Sequence, residues 1–175
     1  MEETKGRLKS LEIALNNEAW ERDFYLKHAE RTRHPLGKSM FQTIAADEDE
    51  HYQRILELHQ KLQEAGKWPE DLPLKVKETK VKSVLAKVVA DVGTHPQADT
   101  DDLEAVKIAI DFETKGEQFY QKLHDNVLDP NEKAFFGMLT ALEREHRLSL
   151  ENTLLYFQDP EGWFQMNEKP HLDGG

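Results

Sequence analysis

Hydrophobic positions recur at the three- and four-residue spacing of an α-helix in four long stretches of this chain, residues 7–31, 36–64, 102–126 and 131–157. In the second stretch Phe41, Ile44, Glu48, His51, Ile55 and Leu58 step by 3, 4, 3, 4 and 3, the seam of a helix packed in a bundle. The fourth repeats that seam with Phe136, Leu139, Glu143, His146, Leu150 and then Thr153 or Leu154. Leu8, Leu11, Leu15 and Glu18 mark it in the first, with Tyr25 two turns on, and Val106, Ile110, Glu113 and Tyr120 mark it in the third. Pro35 and Pro130 preset a helical φ at the starts of the second and fourth stretches, inside the turn sequences 33–37 and 128–131. The pattern predicts two antiparallel helical hairpins.

About 40 residues separate the hairpins, where an ordinary helix–helix connection takes roughly 2 to 8. Within this crossover Val81, Val84, Leu85, Val88, Val89 and Val92 fall at helical spacing, which predicts a short amphipathic helix from Lys80 to Asp91. Its irregular flanks are residues 66–69 and 93–100. One long crossover between two hairpins is the connectivity of a ferritin-like four-helix bundle, so the expected fold is all-α. Residues 1–158 are expected to form one domain (repeat one 7–64, crossover 65–101, repeat two 102–157), with 159–175 as a tail.

Slid along itself by 95 residues, the chain matches itself without a gap. Ile13 meets Ile108, Glu18 meets Glu113, Phe24 and Tyr25 meet Phe119 and Tyr120, and Pro35 meets Pro130. Phe41 then falls on Phe136, Glu48 on Glu143 and His51 on His146. The two hairpins read as copies of one unit.

Composition agrees with this picture and narrows the partners. A chain that is 33 % charged and 38 % hydrophobic, with 9 Gly and 7 Pro, suits amphipathic helices. A net charge of -11 argues against nucleic acid and acidic membranes, because phosphate binding rests on clustered Lys and Arg. The absence of Cys excludes disulfides, thiolate metal sites and an internal thiol electron carrier. Met1 to Leu15 carries charges throughout and no apolar core, and no stretch reaches the ~20 apolar residues of a membrane span. A soluble, cytoplasmic protein is the expectation.

The candidate chemistry lies in the seams. Each of the four helices aims a carboxylate inward, and two of them add an imidazole three residues on. Buried carboxylates that converge without compensating charge repel one another, and two divalent cations would resolve the conflict. Glu18, Glu48, His51, Glu113, Glu143 and His146 offer oxygen and nitrogen donors suited to iron or manganese, with zinc also acceptable. A third Glu-x-x-His, Glu168 to His171, contains Pro170 and lies in the polar tail, so the spacing alone is weak. Seam position and the 95-residue repetition supply the specificity.

On Glu18 with Phe24-Tyr25, Glu48-x-x-His51, Glu113 with Phe119-Tyr120, and Glu143-x-x-His146, the chain closely resembles the rubrerythrin branch of the ferritin-like superfamily. The resemblance implies two iron ions, with Glu48 and Glu143 as bridging ligands, Glu18 and Glu113 as terminal ones, and His51 and His146 as one nitrogen ligand per metal. It implies that Tyr25 and Tyr120, the candidate catalytic residues, donate hydrogen bonds to the carboxylates; ordinary core packing is the plainer account of each ring. The expected activity is reduction of peroxide or dioxygen with electrons from a separate donor protein, in a homodimer whose hairpins could be exchanged. Iron oxidation and storage, and a non-catalytic metal-binding or interaction role, are the alternatives.

Rubrerythrins carry a further carboxylate three residues after the third-helix glutamate, where this chain has Gly116, and a cysteine-rich domain, where it has only the tail from Asp159 onward. Gly116 could leave room for a dioxygen species or a larger molecule, or simply let helices approach closely. Arg22 and Glu117 correspond across the repeat and could pair near the site or stand as two surface charges. His28, His59 and His124 are expected to be solvated, and Trp163 and Phe164 to anchor the tail.

Overall fold

The computed structural model describes residues 2–70, 79–90 and 97–167. Regular structure among the described residues is entirely helical: α1 (Glu2–Arg31), α2 (Pro35–Ala65), α3 (Val81–Ala90), α4 (Thr100–Asn126), α5 (Pro130–Gln158) and α6 (Pro160–Asn167). None of these helices is long and apolar enough to cross a membrane. α1 packs tightly on α2 and α4 on α5, and the two hairpins meet along α2 with α5 and α1 with α4, giving the expected four-helix bundle.

Local chemistry sets the ends. α1 begins five residues earlier than the periodicity predicts. Glu2 and Glu3 place negative charge in its first turn, and Arg7 bridges Glu3 at 3.2 Å and Glu132 of α5 at 2.9 Å. Pro35 and Pro130 open α2 and α5 behind His34 and Asp129, whose side chains accept hydrogen bonds from the first backbone N–H groups. Asp99 and Asp102 form a reciprocal capping box at the start of α4. Gly66 ends α2 at φ 67°, a left-handed conformation that favours glycine.

The crossover helix lies against α2 and α5 and buries Val81, Val84 and Leu85. The side chains of Val88 and Val89, and residues 91–96 with Val92 and the start of the second flank, lie outside what the structure describes. So does the Glu168 to His171 pair. Part of the tail forms α6, capped by Asp159, which accepts from the Gly162 N–H at 3.0 Å. Trp163 anchors α6 to the bundle, buried and donating to Asn152 Oδ1 at 2.8 Å, whereas Phe164 stays 38 % exposed.

The interior is apolar at both ends and polar in the middle. One cluster holds Tyr25, Phe41, Ile44, Val106, Leu150 and Trp163 among others, and the second holds Leu11, Ile55, Leu58, Tyr120, Phe136 and Leu139. Between them in sequence, on every long helix, come the buried ionisable residues. Thr153, not Leu154, completes the α5 seam: it is fully buried, its hydroxyl donating to the Ser149 carbonyl at 2.8 Å.

Candidate metal centre

All six candidate ligands are buried, none more than 2 % exposed. One donor atom from each of Glu18, Glu48, His51 and Glu143 lies within 4.8 Å of the others, and the same holds for Glu48, Glu113, Glu143 and His146. Glu48 and Glu143 belong to both groups; each other residue belongs to one. The imidazoles lie nearly parallel, with ring centroids 5.8 Å apart.

Tyrosine hydroxyls cross between the hairpins to hold the outer carboxylates. Tyr25 of α1 donates to Glu113 Oε1 on α4, and Tyr120 of α4 donates to Glu18 Oε1 on α1. Each Oε2 is thereby left beside an imidazole: Glu18 Oε2 is 3.2 Å from His51 Nδ1, and Glu113 Oε2 is 3.3 Å from His146 Nδ1. Burial and the neighbouring carboxylates raise both phenols well above the usual tyrosine range, so they remain donors. The packing account of these rings is therefore incomplete, since each also closes a hydrogen bond inside the layer.

Brought together in one buried layer, the carboxylates compete for protons. Burial, then the charge of Glu48, pushes the Glu18 carboxyl up to about 8. Glu143 is raised well above the carboxylate range by burial and by Glu48 and Glu113. Burial acts on Glu48 in the same sense, but the charge of His51 and the nearness of His146 outweigh it and hold Glu48 low. The difference has a geometric cause: both imidazoles reach Glu48 at 3.1 Å, whereas His51 Nδ1 stands 3.6 Å from Glu143 Oε1, beyond hydrogen-bonding distance. Both histidines are raised well above their usual range against the effect of burial, His51 chiefly by Glu48 and His146 chiefly by Glu113.

Both oxygens of Glu143 are buried without a hydrogen bond. Unpartnered buried oxygens cost free energy, and carboxylate with imidazole is a donor set for a divalent transition metal. The cluster fits a metal site.

The structure adds residues that periodicity did not single out. His146 Nε2 lies 3.0 Å from Asp47 Oδ2, which also accepts from the Thr79 hydroxyl in the crossover. His51 Nε2 has no hydrogen-bond partner, and the position matching Asp47 in the second hairpin is Leu142. That mismatch in the repeat was the available signal. Glu21 is the other addition: burial and the charges of Glu143, Glu48, Glu113 and Glu18, in that order, raise its carboxyl well above the usual range.

The geometry decides between two sets of alternatives. Arg22 and Glu117 do not pair with each other: Arg22 binds Asp49 at 3.1 Å and Asp23 at 3.2 Å, while Glu117 accepts from Arg144 at 2.7 Å and Arg147 at 2.9 Å. Each finds its partner within its own hairpin, where the helices are closest. The space beside Gly116 is already filled, because a Cβ there would collide with Glu143 Oε2 and stand 3.2 Å from its carboxyl carbon. His28, His59 and His124 are off the site as expected, though each is partly buried.

The sequence model of the Rubrerythrin family matches residues 9–154, a span that takes in all six candidate ligands and both tyrosines. No curated protein and no solved structure matches the chain. The match spans well over half of a helical chain whose buried glutamates and histidines fit a metal site, and the chain belongs to the rubrerythrin family.

Proposed function

We propose that this chain binds a pair of iron ions in the bundle core and acts as an oxidoreductase that reduces peroxide or dioxygen, using electrons from a separate donor protein. The observation that carries the reading is the division of six buried residues into two four-donor groups that share Glu48 and Glu143. A shared pair of carboxylates would hold two cations, with Glu18 and His51 completing one donor group and Glu113 and His146 the other. When bound, iron supplies a ferrous–ferric couple, so that a pair of ions delivers the two electrons peroxide needs to become water.

The protein's part is binding, orientation and exclusion of water. Tyr25 and Tyr120 hold the outer oxygens of Glu113 and Glu18 and leave the inner ones available. Asp47, held in turn by the Thr79 hydroxyl, accepts from His146 Nε2–H and so favours the tautomer that leaves the Nδ1 lone pair facing Glu48 and Glu113. The apolar clusters on both sides separate the layer from bulk solvent. No cysteine among these 175 residues can relay electrons, which supports a separate donor in this reading.

The test is anaerobic iron loading, metal analysis, and peroxide consumption with a reductant. Uptake of about two irons per chain is expected. New near-ultraviolet absorption should appear on oxidation, and peroxide should be lost faster than with free iron. Zinc retained in place of iron, or loaded protein that leaves peroxide untouched with every reductant tried, would refute the proposal.

A further inference from the structure

The two hairpins supply equivalent ligands, but the surroundings of those ligands are unequal. Glu21 lies on α1 one turn after Glu18, on the same side of the helix, and is partly buried. The position matching it in the second hairpin is Gly116. Around the paired carboxylates, then, one of two equivalent places carries a fifth glutamate and the other carries no side chain at all.

The crossing of α1 and α4 shows where that fifth carboxylate stands. Glu18 is tied to Tyr120, and seven residues on, Tyr25 is tied to Glu113, so the helices run antiparallel in a fixed register. Midway between these ties position 21 faces positions 116 and 117. It therefore faces the glycine whose missing side chain lets the Glu143 carboxylate lean toward α4. Moving along α1 from Glu18 toward Tyr25 also leads from the His51 side of the layer to the Glu113 side.

Glu21 has nothing else to do in the fold. Among the described residues no hydrogen bond or ion pair engages it, and its neighbour Arg22 spends its guanidinium on Asp49 and Asp23. An exposed glutamate would simply be hydrated. This one is partly buried outside the two donor groups but within the field of four other carboxylates, a position that a bound cation would make favourable.

We propose that Glu21 is a seventh protein ligand, serving the metal position bounded by Glu113 and His146. The inference rests on the metal-pair reading above. It makes the two positions unequal: the His146 position gains a carboxylate, while the His51 position keeps its four donors. Because Asp47 pins His146, Glu21 adds to that set and does not replace the imidazole.

The experiment is an anaerobic ferrous titration of the full chain by competition with a chelator, with Mössbauer spectra of the iron-57 form. Wild type, Glu21→Gln and Glu21→Asp are compared. Glutamine removes the charge; aspartate keeps the charge but shortens the reach. The expected result is that both variants weaken one of two binding steps, by on the order of 10- to 100-fold for glutamine. One of two quadrupole doublets should shift and the other stay. Unaltered steps and spectra in Glu21→Gln overturn the inference, and so does a Glu21→Asp that binds like wild type, since the effect would then be charge alone. Metal-free Glu21→Gln should melt no lower than wild type, because a repelling charge has gone; a lower melting temperature makes Glu21 a structural residue and also overturns the inference. Wild type that takes up no metal sinks the metal-pair reading along with it, whereas two irons in wild type and an unchanged variant sink this inference alone.

Discussion

The α1–α2 and α4–α5 hairpins carry the same four-part unit: a glutamate, a tyrosine seven residues on, and a Glu-x-x-His on the next helix. What surrounds those parts differs. Asp47 in the first hairpin supports the histidine of the second, but Leu142 stands where the reciprocal support for His51 would come from. Position 21 carries a partly buried glutamate, whereas its counterpart Gly116 leaves its space to Glu143. Even the outer ion pair is reversed: Arg22 with Asp49 becomes Glu117 with Arg144. Repetition places the donors, and departures from it make two equivalent positions chemically distinct.

The largest effect should come from the shared residues. Glu48→Ala or Glu143→Ala removes a donor from both groups, whereas Glu18→Ala or Glu113→Ala removes one from a single group. After anaerobic loading and desalting, the first two variants should retain almost no iron and the second two about one ion per chain. Equal losses in all four would show that sharing does not organise the site.

Next in size is the support for one histidine. Asp47→Leu gives the first hairpin the residue the second already has, and makes the two imidazoles alike. Affinity at one position should fall about 10- to 100-fold, leaving the other within twofold. If both positions weaken together, Asp47 acts on the whole layer and the asymmetry is not local.

Metal-free protein offers a smaller effect that reports on the layer as a whole. The folded state holds a proton on Glu18 that the unfolded chain releases above its ordinary value of 4.5, so stability falls as pH rises from there through about 8. Glu143, raised likewise, adds to that loss. His51 and His146, also raised, contribute fully below their ordinary value of 6.5 and lose that contribution as pH rises through their folded values. Glu48 acts oppositely, but only below 4.5. The melting temperature of metal-free protein should therefore decline between pH 5 and 8. Metal-loaded protein should lack that decline, because cations replace the protons and bind better as the ligands deprotonate. A flat profile without metal would mean the carboxylates are already hydrated.

The bundle and its six donors were legible because a seam of period 3.5 reports which residues of a helix turn inward, and the repeat reports it twice. Periodicity is silent about what an inward group meets. Asp47 gains its role from His146, 99 residues away, and from Thr79 in the crossover, which no helical pattern covers. Gly116 was visible as a break in the repeat, but its reading depended on where the Glu143 side chain goes, a packing outcome. Correspondence across the repeat left Arg22 and Glu117 as partners of each other or as two surface charges; the close approach within each hairpin gives both of them nearer partners. The helical form of residues 160–167 follows from Asp159 and Pro160, a capping signal the chain carried but which a polar tail obscured.

The smallest predicted effect concerns the reversed ion pairs on the outside of the layer. Glu117 accepts from two arginines and is 16 % exposed, while Arg22 and Asp49 are 27 % and 51 % exposed. Screening by solvent keeps both small, and the more buried, doubly bonded glutamate should count for more. Glu117→Gln is expected to lower stability by about 1 kcal/mol at neutral pH, and Asp49→Asn by less than about 0.5 kcal/mol. Burial favours the neutral form of Glu117, but Arg147 and Arg144 outweigh it and hold its carboxyl below the usual range. Its contribution is therefore present above the ordinary value of 4.5 and disappears as pH falls from there through the folded value. Urea unfolding at pH 7 and pH 3 separates the cases: the Glu117→Gln deficit should shrink at the lower pH. A deficit that persists there would trace to lost packing against Arg147, and the charge reversal between the hairpins would then have no energetic consequence.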